Sequence, residues 1–123
     1  MKTDTILHGL RSIIYPTRDL VQDKVWWEDV LTIEPYYDSE FYVGFNVDGY
    51  ELGIDPSADL EAGPITYFGV DNVDNAMNHF LQHDCEIHTE PKEVGDGIAM
   101  AVVRKLYDDQ LIGLIYNPHF KTL

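Results

Sequence analysis

The chain contains one cysteine, Cys85, in 123 residues. An internal disulfide and a thiolate zinc site are therefore excluded. Basic residues are scarce: 8 Lys and Arg stand against 22 Asp and Glu, a formal charge of −14 at pH 7. So acidic a surface repels a phosphate backbone and an anionic leaflet, which argues against nucleic acid and membrane as partners. No apolar run approaches the ~18 residues of a membrane span, and the opening MKTDTILHGLRS lacks the apolar stretch of a secretory leader. The expectation is a cytoplasmic protein. A Ser-His-Asp order, a nucleophile elbow, a P-loop and a dinucleotide glycine pattern are also missing. What is present is 45% hydrophobic and 24% charged. That is an ordinary globular balance, in a length that makes one domain.

Local signals give an order of elements. His8 to Tyr15 reads as a strand stopped by Pro16, and Asp19 offers an N-cap to a helix from Leu20 to about Leu31. Trp26 and Trp27 are adjacent, so they point in different directions and broaden the helix's apolar face. A weak strand follows at Glu34 to Tyr37. Phe41 to Val47 and Tyr50 to Ile54 then flank Asp48-Gly49, the dipeptide of a two-residue hairpin turn. Residues 56–64 (PSADLEAGP) read as a connector. The order then restarts: Ile65 to Val70 is a strand, and Asp71 or Asn72 caps a helix. Its stripe is Val73, Ala76, Met77, Phe80 and Leu81. Strands follow at Cys85 to Thr89, Ile98 to Arg104 and Leu111 to Tyr116, with a turn at Gly95-Asp96-Gly97. The chain reads β-α-β-β-β twice: a first module over about 8–55, the connector, a second over about 65–117, and a tail at 118–123.

Several stretches in this order carry a resemblance. They are RSIIYPTRDL leading into WWEDVLTIEP, FYVGFNVDGYELGID, ITYFGVDNVDNAMNHFLQHDCEIH and LIGLIYNPHF. From about His8 to Phe120 the chain resembles the vicinal oxygen chelate superfamily: glyoxalase I, extradiol dioxygenases, and the fosfomycin and bleomycin resistance proteins. The resemblance implies an α+β fold in which two βαβββ modules form a curved sheet around a central cavity. It also implies four ligand positions on the first and last strands of each module. Carried over by counting, these are Ser12, Glu51, Ile65 and Gly113. Only Glu51 suits zinc, iron or nickel, so neither metal nor cofactor is expected. The implied function is binding or sequestering a small molecule, cationic or aromatic ligands included, in a metal-free cavity. The alternatives are a glyoxalase-like lyase, isomerase or dioxygenase-type enzyme using Glu51, and a non-catalytic interaction module. Whether the chain is an enzyme stays open.

Strand alternation selects the pocket residues. If Glu51 faces inward, so do Ser12, Ile14, Gly53, Ile65, Tyr67, Gly69, Gly113 and Ile115, while Tyr50 and Leu52 face the helices. Glycines at 53, 69 and 113 then leave room for a cavity. Glu51 is its expected polar anchor and first catalytic candidate, through hydrogen bonds from Ser12 or Tyr67 or through a raised pKa. His119 is a second catalytic candidate, in a tail that Phe120 docks. His79 and His83 stand at i, i+4, but no glutamate lies between them and their helix face reads as solvated. Cys85 follows a helix C-terminus, a poor place for a nucleophile. Asp4, Glu28, Asp29, Asp38, Glu40, Asp55, Asp59 and Glu61 read as solvated acids. Exposed aromatics at Tyr36 and Tyr37 suggest a homodimer.

Overall fold

A computed structural model of the chain describes residues 6–120, which leaves Asp4 and the end of the tail outside the described residues. The first module comprises β1 (Leu10–Pro16), α1 (Leu20–Leu31), β2 (Tyr37–Asp38), β3 (Val43–Val47) and β4 (Tyr50–Asp55). The second comprises β5 (Ile65–Gly69), α2 (Val73–Leu81), β6 (Cys85–Gly95), β7 (Ile98–Lys105) and β8 (Leu111–Tyr116). A 3-10 turn, Leu60–Ala62, sits in the connector.

The local signals act as read. Asp19 accepts a hydrogen bond from the Gln22 amide and starts α1, and Asn72 does the same for α2 through the Asn75 amide. Asp71 is left free to bond His8 Nε2 at 2.9 Å. Asp48 and Gly49 both take positive φ, 54° and 97°, the geometry a tight hairpin needs for strands of right-handed twist.

Two strands differ from expectation. β2 is only Tyr37–Asp38, and β6 runs on through Pro91 to Gly95 with three register shifts. Both lie at edges of the sheet, where pairing on one side neither fixes length nor forbids a proline.

Eight strands form one mixed sheet in the order β2-β3-β4-β1-β5-β8-β7-β6, curled into a half-barrel. Within each module the first and last strands run parallel, β1 with β4 and β5 with β8. The modules meet at the antiparallel pair β1–β5. The helices cover the convex face. Leu20, Trp27 and Leu31 of α1 pack on Phe45, Leu52 and Ile54, while Val73, Ala76 and Met77 of α2 pack on Ala101, Val103 and Leu114. Trp26 turns away from the core and stays exposed, its ring edge-on to Trp27 at 5.0 Å. The concave face holds a second core of Ile14, Tyr42, Tyr67, Met100, Val102 and Ile115. No helix among the described residues is long and apolar enough to cross a membrane.

Candidate functional site

One row of paired residues crosses the middle of the concave face. Glu51 on β4 stands opposite Ser12 on β1, Ser12 opposite Tyr67 on β5, and Tyr67 opposite Gly113 on β8. Counting back from the helix cap points to Ile65, but the register places Tyr67 in the row and Ile65 two residues along. The β1–β5 pairing, which no count from a cap contains, sets that offset.

Glu51 is 2% exposed. Ser12 Oγ donates to its Oε1. Tyr36 Oη at 2.5 Å, Tyr42 Oη at 2.9 Å and Asn117 Nδ2 at 3.3 Å donate to its Oε2. Asn117 Nδ2 also reaches Tyr36 Oη at 2.8 Å. Burial raises the Glu51 pKa; the Ser12, Tyr36 and Tyr42 hydrogen bonds and the Arg11 charge only partly oppose this. Burial and the neighbouring carboxylate together push the Tyr36 and Tyr42 hydroxyls well above their ordinary values. Of these donors, alternation points only to Ser12. Tyr36 and Tyr42 sit in the expected strands Glu34 to Tyr37 and Phe41 to Val47 but fall outside β2 and β3, and Asn117 follows β8.

The inner glycines admit side chains rather than leaving a void. A Cβ at Gly53 would collide with the Tyr42 hydroxyl, and one at Gly113 with the Tyr67 ring. A Cβ at Gly69 would stand 2.6 Å from Arg11 Nη2. A bulge between Leu10 and Ser12 breaks the alternation beside Arg11, whose Nε is buried without a hydrogen-bond partner among the described residues. Ile14, Tyr67 and Ile115 are buried in the concave core, so most of the expected lining is packed protein.

A partly open cavity of about 160 Å³ remains farther along the concave face. Ile65, Met100 and Val102 give it apolar lining, while Asp55, Tyr67, His88, Thr89 and Lys92 add polar groups. Asp55, expected on a solvated face, is 1% exposed. Its Oδ1 accepts from the Ser57 amide at 2.9 Å and Ser57 Oγ at 2.8 Å, and Lys92 Nζ lies 3.6 Å from Oδ2. An acid at a strand end looks solvated in sequence; here residues 56–59 and β6 close over it.

The remaining candidates lie elsewhere. His119 is exposed, stacks on Tyr37 with ring centroids 5.4 Å apart and meets the Asp96 carbonyl through Nε2 at 2.8 Å. Phe120 is buried against Tyr36, docking the tail. His79 on α2 and His83 just past its end are exposed, with His83 Nδ1 at 2.9 Å from the His79 carbonyl. Burial and Asp84 raise the Cys85 thiol pKa, which keeps it protonated. Tyr36 and Tyr37 are half-buried and hydrogen-bonded rather than exposed, because β2 folds against the tail and the β6–β7 turn. The large exposed apolar side chains of this module include Val21, Val25, Trp26 and Val30 on α1, with Leu10, Phe41 and Tyr50 elsewhere.

A divalent metal does not fit the row. It offers one carboxylate, and that carboxylate's oxygens already face hydrogens from Ser12, Tyr36, Tyr42 and Asn117. Among the described residues no three His, Cys, Asp or Glu side chains cluster for a metal.

The architecture is α+β, consistent with the glyoxalase/bleomycin resistance fold, and solved structures share it. Methylmalonyl-CoA epimerase from Mycobacterium tuberculosis superposes with a TM-score of 0.70 at 16% identity, over 96% of this chain and 94% of that one. A point variant of the Streptomyces coelicolor methylmalonyl-CoA epimerase, in complex with 2-nitronate-propionyl-CoA, gives 0.68 at 15% identity, over 95% and 99%. A Legionella pneumophila structure described as an NAD-dependent benzaldehyde dehydrogenase gives 0.66 at 16% identity, over 85% and 96%. At such identities the likeness carries the fold alone. No family profile and no curated protein matches the sequence.

Proposed function

We propose that the protein binds a small molecule inside the half-barrel without the help of a metal ion. The observation that carries this reading is the partly open cavity of about 160 Å³ between β5, β6 and β7. A space of about 150 Å³ lined by apolar side chains is enough to hold a benzene-sized molecule. Here the apolar lining is joined by polar groups at one end, the arrangement of a specific small-molecule site. The donor set of the central row supports the metal-free part.

A toluene titration followed by methyl NMR tests the reading. Shifts should gather on Ile65, Met100 and Val102 and vanish in Val102→Phe, a variant that fills the space. Absence of any shift in the unaltered chain, with toluene and with polar molecules of its size alike, overturns it.

A second reading makes Glu51 an acid or base in a lyase or isomerase. Its raised pKa favours that role. A substrate would first have to displace one of the Glu51 donors, and the cavity lies toward Asp55, about 13 Å along β4 at strand rise. Turnover lost in Glu51→Gln, with fold and toluene binding kept, would favour this second reading.

A further inference from the structure

Asp55 and Tyr67 both line the cavity, and each has hydrogen-bonding capacity left over. Asp55 uses Oδ1 on Ser57, while Oδ2 has no hydrogen-bond donor among the described residues; Lys92 Nζ, at 3.6 Å, balances its charge from beyond hydrogen-bond distance. The Tyr67 hydroxyl has no hydrogen-bond partner among the described residues, although the residue is 3% exposed. The Asp55 charge acts on that hydroxyl, so the two groups belong to one polar end. Both residues line the cavity, and a ligand or water there can take up the hydrogen bonds that the protein leaves unmade.

From these residues we infer that the ligand is a compact, uncharged molecule whose single hydroxyl donates to Asp55 Oδ2 and accepts from Tyr67 Oη.

The donor and acceptor inventory selects this head group. A hydroxyl supplies one donor and one acceptor, which is what the pair lacks. A carboxylate supplies no donor and meets the charge of Asp55. An ammonium supplies no acceptor for Tyr67 and adds a positive charge where Lys92 already neutralises Asp55. A hydrocarbon fills the apolar part but leaves both groups unsatisfied. The body is limited by the space to about the size of one benzene ring. Ile65, Met100 and Val102 offer it only apolar contact. This class is narrower than the cationic or aromatic ligands expected from the sequence, because the pairing of Lys92 with Asp55 is not visible there.

The inference rests on the cavity reading, and one ligand series separates the two. The probes are phenol, toluene, benzoate and benzylammonium, titrated into the full chain at pH 7 and followed by NMR. Phenol and toluene have the same size, so their ratio isolates the hydroxyl. Phenol should bind about tenfold more tightly than toluene, the scale of one to two net hydrogen bonds, with benzoate and benzylammonium weaker than either. In Tyr67→Phe the phenol advantage should shrink severalfold while toluene binds as before. Equal binding of phenol and toluene, or a preference for either charged probe, overturns the inference and leaves the cavity reading standing. Binding by none of the four overturns both.

Discussion

The Tyr67 ring lies against Gly113, its partner across the parallel pair β5–β8, at a point where any side chain would strike it. Gly113→Ala therefore overpacks the concave core. A loss of about 1–3 kcal/mol in urea denaturation is expected. Unchanged stability would show that the ring moves aside freely.

Glu51 makes stability depend on pH with a definite sign. Its folded pKa is above the ordinary 4.5, so the folded chain holds this proton more tightly than the unfolded chain. The contribution is fully present below pH 4.5 and is lost as pH rises through the higher folded value. Urea denaturation of the unaltered chain and of Glu51→Gln, from about pH 4 to 8, should show a gap between them that changes across this window. A gap constant with pH would mean that Glu51 ionises as freely when folded as when unfolded.

Asn117 ties the end of β8 to the first module through Tyr36 and Glu51. Asn117→Ala should cost about 1–3 kcal/mol, since the freed acceptors are buried or half-buried. Calorimetry is the direct check, and a melting temperature equal to that of the parent contradicts it.

Elemental analysis of protein purified without a polyhistidine tag should find far less than one transition metal ion per chain. One ion per chain, lost in Glu51→Ala, would contradict the donor-set argument.

Much of this architecture is legible in the sequence because its signals are local. Asp19 and Asn72 as caps, Asp48-Gly49 as a turn and the stripe of Val73, Ala76 and Met77 each act within a few residues. Alternation also places Ser12, Glu51 and Tyr67 on one face. What escapes depends on contacts between distant segments. The bulge before Ser12 breaks the alternation at Arg11, the β1–β5 register exchanges Ile65 for Tyr67, and the Glu51 donors other than Ser12 come from segments outside the strands. Asp55 reads as solvated because the closure of β6 over β4's end is nowhere in the sequence around it. The glycines are identified rightly as small and inward, but only the fold reveals that Tyr42, Tyr67 and Arg11 occupy the space they leave.

The two free margins of the sheet govern how copies of this chain meet one another at high concentration. On one side the outermost strand is two residues long, and on the other it carries Pro91 and repeated register shifts. Neither offers the long, flat ladder on which a second molecule's backbone could grow into a fibril. The repulsion of like net charge acts in the same sense at longer range. Edge-to-edge growth of the eight-stranded open sheet is thereby disfavoured, and the protection resides in the same irregular borders that make those strands the hardest to read.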